Sequence, residues 1–401
     1  MKKSLNVVLS KALVGSAIIG LTTASYMQSV QADPFADAMS SGKATVDFRL
    51  RYESVDQTGI SDKANAMTLR SRLSYKTGDF HGLSLFMQGE HVKALVDDFN
   101  SKTNGKANYP VVADPATSEV NQSYLAYNMV GTTVKLGRQE VIFDNARFIG
   151  NVGWRQNAQS FDALTVVNTS LTDTTIVYGY VNNVNTITGG NTDTKTHLIN
   201  ASYSGLPVGK ITGYGYFLEL IDAPADSNST LGLRFTGGTE VAEGTKLLYT
   251  AEFASQSSYK EGASTIAADY FLGEFGVKAS GITAKLGYEV LSGDGTYAFG
   301  TPLATKHAMN GWADKFLVTP EDGLVDLSFS ISGKVSGMKL MAVYRNFSAD
   351  NGSDKYGSEI DLVAIKKFSK NYKLLAKYAS YSADTYATDT DKLWLMGQAT
   401  F

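Results

Sequence analysis

Four arginines stand in two alternating pairs, Arg49 with Arg51 and Arg70 with Arg72. A guanidinium stays charged at physiological pH, and its planar fork grips a carboxylate through two hydrogen bonds. Arg138, Arg147 and Arg155 follow, so seven of the nine arginines fall between positions 49 and 155. Arg234, Lys285, Arg345 and Lys377 add cations further along, and Glu289 stands with Asp47, Glu53, Glu90, Glu252, Glu359 and Asp361 as candidate counter-charges. Such a set could form a cationic constriction that selects an anionic solute. It could equally form a salt-bridge network that only stiffens a wall. The residue types leave both readings open.

Covalent chemistry finds little to work with. There is no Cys, hence no thiol nucleophile, disulfide or iron–sulfur site. The four histidines, His81, His91, His197 and His307, are few for a metal site, and none stands in a recognisable motif with a Ser or Asp. No phosphate-binding loop is present. The expectation is a protein that is not an enzyme, with no metal and no cofactor. Lys plus Arg total 36 against 39 Asp plus Glu, so no basic face advertises nucleic acid. Acidic residues in the loops, Asp97, Asp98, Asp114, Asp222, Asp226, Asp350 and Asp354, either hold divalent cations or are solvated turn formers.

Two segments combine aromatic, amide and basic side chains at unusual density. One runs over 136–163 and holds Arg147, Trp154, Arg155, Gln156 and Asn157; the other runs over 287–317 and holds His307, Asn310, Trp312, Asp314 and Lys315. A loop needing only solubility would not expose Trp and Phe so freely. Both are expected to fold inward and narrow a path, offering a sugar ring stacking and hydrogen bonds. The alternative for Trp312 is a rim anchor at the lipid headgroup level.

The elements that position these groups are strands. In 46–53 the apolar set Val46, Phe48, Leu50, Tyr52 alternates with Asp47, Arg49, Arg51, Glu53, and a strand puts the two sets on opposite faces. The same period recurs over 67–75, 246–253 and 325–331. Eighteen such segments can be placed, from 43–54 to 391–401; the least regular are 132–139 and 161–169, and without them sixteen remain. Their connections alternate short and long. No run of 18 apolar residues marks a membrane helix. The fold expected is all-β: a transmembrane antiparallel β-barrel of about 18 strands, with short periplasmic turns and long outer loops. The lipid face would carry Leu50, Leu69, Leu233, Tyr249, Phe329 and Phe401.

The N-terminus reads as an export signal. Lys2, Lys3 and Lys11 precede an apolar stretch from Ala12 to Leu21, and Val30-Gln31-Ala32 suits a cleavage site. The organisation expected is a signal peptide at 1–32, a short periplasmic lead-in at 33–42, and a single barrel domain at 43–401. The chain ends on a strand closed by Phe401, similar to the signal read by bacterial barrel-assembly machinery. Expected partners are that machinery, outer-membrane lipid and lipopolysaccharide, and an anionic solute.

The Arg49/Arg51 and Arg70/Arg72 strands, the segment from Gly137-Arg138-Gln139 to Asp162, and the loop from Thr301 to Leu317 resemble the alginate export porin family of Gram-negative outer membranes. The resemblance implies an 18-stranded monomeric barrel whose electropositive constriction passes a polyuronate. It implies a lumen role for Arg49, Arg51, Arg70, Arg72, Arg138, Arg147 and Arg155. A general or uptake porin with a structural charge network is the alternative, and an outer-membrane hydrolase, receptor or adhesin stands further off.

Overall fold

The computed structural model describes residues 33–401, so the expected signal segment at 1–32 lies outside the described residues. Strands β1 (Lys43–Gln57), β2 (Ala64–Lys76), β3 (Leu83–Asp98) and β4 (Thr117–Met129) lead into the shorter β5 (Thr132–Gln139) and β6 (Ser160–Asn168). Then come β7 (Thr174–Asn185), β8 (Asn191–Leu206), β9 (Gly209–Leu218), β10 (Asn228–Ala242), β11 (Thr245–Ser258), β12 (Ala267–Ala279) and β13 (Ile282–Leu291). After a long loop the chain completes β14 (Leu324–Val335), β15 (Met338–Ser348), β16 (Lys355–Lys367), β17 (Tyr372–Ala383) and β18 (Thr390–Thr400). Both irregular segments are strands, and the count is eighteen.

Every strand pairs antiparallel with the next, and β18 returns to β1 with Thr400 opposite Asp47 and Thr390 opposite Gln57. Closure leaves no strand edge, which is what a sheet in hydrocarbon needs, because no water is there to satisfy a free N–H or C=O. Phe401 completes the seam: its amide donates to Val46 O at 2.8 Å and its carbonyl accepts from Val46 N at 3.0 Å.

The period-two pattern sorts side chains as the sequence implied. On β14, Leu327, Phe329 and Ile331 are exposed, while Asp326 between them is 1 % exposed and faces the lumen. Leu50, Leu69, Leu233, Tyr249, Phe329 and Phe401 all lie on the outward side. Two periplasmic turns show the chemistry of tight hairpins. Ser280-Gly281 and Ser336-Gly337 each have both φ angles positive, the conformation that matches strand twist in a two-residue turn.

The lead-in at 33–42 is partly helical. It contains a helix of about two turns, α1 (Pro34–Ser40), capped by Asp33, whose carboxylate accepts from Phe35 N at 3.0 Å. The helix is tied to the β2–β3 turn by Gly78 N donating to Ala38 O at 2.8 Å and by Phe35 lying edge-on to Phe80.

The two faces carry opposite tolerances for charge. Phe329→Arg should cost about 2–4 kcal/mol of barrel stability near the membrane midplane. Thr250→Arg points inward beside Glu274 and should cost less than about 1 kcal/mol. Urea unfolding in lipid vesicles measures both, and equal costs would mean that the two faces are misassigned.

Candidate functional site

Long outer loops fold back into the barrel and meet its charged wall. The 140–159 and 292–323 loops dock on each other as one body. Gly150 N donates to Leu303 O at 2.9 Å, Thr305 N to Ala146 O at 3.0 Å, and Val152 N to Thr305 Oγ1 at 3.0 Å. Phe148, Ile149, Phe299, Leu303, Trp312 and Phe316 from these loops pack with wall residues Tyr214, Tyr216, Tyr270, Phe347, Tyr381 and Trp394 in one buried cluster. This is a hydrophobic core inside the lumen, and it supplies the burial that rigid loops need. Gly311 permits the closest approach. Its φ is +86°, and a Cβ there would lie 2.4 Å from Glu359 Oε2.

The arginines act as anchors for this body. Arg49 donates to Gln156 Oε1 at 2.8 Å, to Gly153 O at 3.0 Å and to Arg155 O. Arg51 pairs with Asp114 at 3.0 Å, donates to Trp154 O and lies 4.5 Å over the Trp154 ring. Arg70 pairs with Asp47 at 2.6 Å, and Arg72 with Glu90 and, at 3.7 Å, Glu140. Arg147 bonds Glu289 at 3.0 Å and Asn310 Oδ1 at 3.0 Å. Asn310 in turn donates to Glu289 at 2.6 Å and Asp326 at 3.1 Å. Arg234 pairs with Glu252, Lys285 with Glu274 at 2.7 Å, and Arg345 with Asp326 and, at 3.6 Å, Asp361.

Arg155 reaches furthest. It joins Glu53 on β1 at 3.1 Å, Asp314 of the second loop at 2.9 Å, and Asp114 of the 99–116 loop at 3.9 Å. Burial alone would lower its pKa, but the three carboxylates raise it further above the usual guanidinium value. Burial would likewise raise Asp314, yet contacts with His307, with Lys392 at 2.8 Å and with Arg155 hold its carboxyl well below the usual range.

Beside Asp314, His307 stacks on Trp154 with ring centroids 4.6 Å apart and planes 7° from parallel. Its Nδ1 lies 2.6 Å from Asp314 Oδ1 and its Nε2 lies 2.7 Å from Lys377 Nζ. An ammonium only donates, so Nε2 must accept and Nδ1–H must donate to Asp314. The imidazole is therefore neutral, in keeping with burial that pushes its pKa well below the ordinary value. Lys377 sits 3.7 Å over Trp312, 4.3 Å over Trp154 and 5.3 Å over Trp394, which are all three tryptophans of the chain. Trp312 is thus buried in the lumen, away from the rim position that was its alternative.

Arg138 departs from the expected lumen position. It lies opposite Ser123 on one side and Asp162 on the other, on the same face of β5 as Leu136, whose partner Leu125 is exposed with it on the outward side. Lys135 and Gln139 take the inward positions. Arg138 forms a two-pronged pair with Asp162 at 2.7 and 3.1 Å near the outer rim. The alternation of β5 places it there; resemblance alone had placed it inside.

Above the arginine anchors lies an outer cavity of about 400 Å³. Five cationic side chains line it, Lys102, Arg155, Lys306, Lys315 and Lys392, and Asp314 is the one carboxylate among its lining residues. Burial lowers the Lys315 pKa to about 8, with the neighbouring Lys392 charge acting in the same direction. Burial, with Arg147 and Lys102 nearby, lowers Lys306 as well. Lys102 carried no signal in the sequence, and Lys306, Lys392, Trp394, Asp114 and Gln156 stood there only as members of a loop or strand, with no site role assigned. Lys392 and Trp394 were legible, since they alternate with Leu393 and Leu395. Asp114 carried no signal to set it apart from the other loop acids, yet it is a buried partner of Arg51. Among the described residues no cluster of three or more His, Asp or Glu is arranged to hold a metal ion.

If Arg155 holds the loops in place, Arg155→Ala leaves Glu53, Asp114 and Asp314 with a missing counter-charge. Breaking such a buried pair costs about 3–5 kcal/mol. Lys306 and Lys315 should then become cleavable by trypsin in folded protein, and unchanged resistance would show that the apolar core holds the loops without the ion pairs.

No curated protein matches the chain in sequence. Solved barrels match its fold. Pseudomonas aeruginosa OpdK, solved with vanillate, superposes with a TM-score of 0.73 at 13 % identity, covering 90 % of this chain and 99 % of that one. Acinetobacter baumannii OccAB2 gives 0.73 at 15 % identity over 91 % and 99 %, and P. aeruginosa OccK9 (OpdG) gives 0.71 at 14 % over 91 % and 99 %. In sequence, the family model for alginate export matches residues 43–301, well over half of the chain. Taken with the closed barrel, this match identifies the chain as an outer-membrane porin that belongs to the alginate export family.

Proposed function

We propose that this porin passes anionic solutes in preference to cations, and that the selecting charges are the lysines of the outer cavity. The observation that carries this reading is the cavity lining of five cations against one carboxylate. Asp314 is already shared by Arg155, Lys392 and His307, so the charges of Lys102, Lys306 and Lys315 are left to a solute. A cleft lined by one sign of charge raises the local concentration of the opposite ion. Polyuronates, chains bearing one carboxylate per sugar, are the solute class that the family suggests. Trp154 and Trp312 do not serve as open stacking platforms here, since both are engaged with Lys377.

The arginine anchors take a different role in this reading. Arg49, Arg51, Arg70, Arg147 and Arg155 are almost wholly buried, and their forks are occupied by protein acceptors. Arg49, Arg51, Arg147 and Arg155 shape the constriction by fixing the loops, and Arg70 ties β2 to Asp47 on β1. The strand ending at Phe401 is the candidate contact for the barrel-assembly machinery.

Reversal potentials across a KCl gradient in planar bilayers test the proposal. The native protein should be anion-selective, and the triple variant Lys102→Gln, Lys306→Gln, Lys315→Gln should lose most of that preference with its fold intact. Cation selectivity in the native protein, or an unchanged potential in the variant, would refute it.

The low Lys315 pKa adds a pH signature. Below about 8 the ammonium is charged; above it the charge is lost. Anion preference should therefore decline between pH 7 and pH 9, well below the ~10.4 at which ordinary lysines titrate. A potential flat over that window would show that Lys315 does not face the conducting path.

A further inference from the structure

At the periplasmic ends of the strands lysine faces lysine across the ladder four times. Lys43 stands opposite Lys76 between β1 and β2, and Lys246 opposite Lys278 between β11 and β12. Lys334 stands opposite Lys339 between β14 and β15, and Lys367 opposite Lys373 between β16 and β17. Directly opposed residues have Cβ atoms roughly 4.5–5.5 Å apart, and like charges there destabilise a sheet. Hairpin geometry does not require them, and one such pair could be incidental. Lys246 also faces Glu240 on its β10 side, but the other three pairs, all at the same end of the barrel, are a pattern that works against stability.

Strand alternation puts all of them on the lumen side. Their flanking neighbours Phe275, Val277, Ile331, Val335, Leu362 and Leu374 are the exposed apolar residues of the lipid face. The lysines that form ion pairs among the described residues are others: Lys63, Lys106, Lys210, Lys285 and Lys392. The stretches 332–340 and 364–374, which carry two of the pairs, contain no Asp or Glu. At the second stretch Lys370 joins Lys367 and Lys373 around a cavity of about 200 Å³, whose other lining residues are Ser369, Asn371, Tyr372, Gln398 and Thr400. No carboxylate lines it, although the Gln398 amide and Thr400 hydroxyl donate to the adjoining Asp47, at 2.7 Å each, so the three ammonium groups are the donors left to an anion.

We propose that these lysines form a collar at the periplasmic mouth that binds multivalent anions, polycarboxylates or polyphosphates, and concentrates them at that entrance. Two ammonium groups held side by side match two linked negative charges better than one isolated anion. Binding an anion removes the repulsion within each pair, so the cost of opposing the lysines is recovered when the ligand is present. The collar rests on the anion-preferring reading and adds to it a second site, at the opposite end of the barrel from the outer cavity.

The test is one-sided current block of the full-length protein in planar bilayers, with hexametaphosphate or polyglutamate as the probe. Orientation is read from the side on which an impermeant maleimide reaches a single Asn351→Cys in an outer loop. Block should need a roughly tenfold lower probe concentration from the periplasmic side, a difference of about 1.4 kcal/mol in binding. The variant Lys334→Gln, Lys339→Gln, Lys367→Gln, Lys373→Gln should abolish that difference while keeping the anion-selective reversal potential set by the outer cavity. It should also unfold at a higher temperature than the native protein in the absence of anions, so misfolding would not explain a loss of block. Equal block from both sides, or one-sided block retained by the variant, would overturn the collar. So would lysine-dependent binding to phosphatidylglycerol nanodiscs without any block, which would assign the lysines to lipid headgroups. Cation selectivity in the native protein would instead overturn the anion-preferring reading itself.

Discussion

A lysine ammonium at mid-height in a filled lumen has to be stabilised away from bulk water, and the arrangement around Lys377 shows how. Three indole faces surround it, and the acceptor nitrogen of His307 lies 2.7 Å away. Cation–π attraction is worth more where water is excluded. The cage cannot exist within one element: Trp154 and Trp312 come from two different loops, and Trp394 from the last strand. Seating Lys377 therefore fixes both loops against the wall. His307 passes the constraint on to Asp314, and Asp314 to Arg155 and Lys392. Arg155 carries it to Glu53 on the first strand.

The rest of the interior follows from the same rule that a buried charge needs partners. The cationic wall of β1 and β2 receives backbone carbonyls and Gln156 from the 140–159 loop. The acidic wall of β13 to β16 receives Arg147, Asn310 and the amide of Ala313, which donates to Glu359 at 2.8 Å. One loop body thus answers walls of opposite sign. That complementarity sets the register of the loops, while the aromatic cluster around Phe148, Phe299 and Phe316 supplies most of the burial.

The division between arginine and lysine has a physical basis. Guanidinium is weakly hydrated and offers a rigid fork, which suits fixed acceptors in a low-dielectric interior. Ammonium is compact, strongly hydrated and held on a flexible stem. It suits the outer cavity and the periplasmic strand ends, where the charge keeps access to water. Arg49, Arg51, Arg147 and Arg155 pin the loops, and of the described lysines only Lys377 and Lys392 join them in the buried interior.

The sequence alone determined the barrel. Alternation and connection length are local properties, and each strand's two faces must meet lipid and lumen whatever the partner strand is; even the segments 132–139 and 161–169 could be placed from their own residues. It also determined that Arg49, Arg51, Arg70 and Arg72 face inward, and that Trp154, His307, Asn310, Trp312 and Asp314 belong to a distinctive loop pair. That Arg49 and Arg51 meet groups of distant loops while Arg70 and Arg72 meet acids of neighbouring strands was decided only by tertiary structure, because the loop acceptors lie about a hundred positions away, as with Arg49 and Gln156. The outward turn of Arg138 follows from the ladder of β4, β5 and β6, in which Ser123 and Asp162 flank it. The role of Asp114 has the same kind of origin. An acid in a loop looks like any other until the fold buries it against Arg51, and no local pattern encodes a contact between segments that only barrel closure brings together.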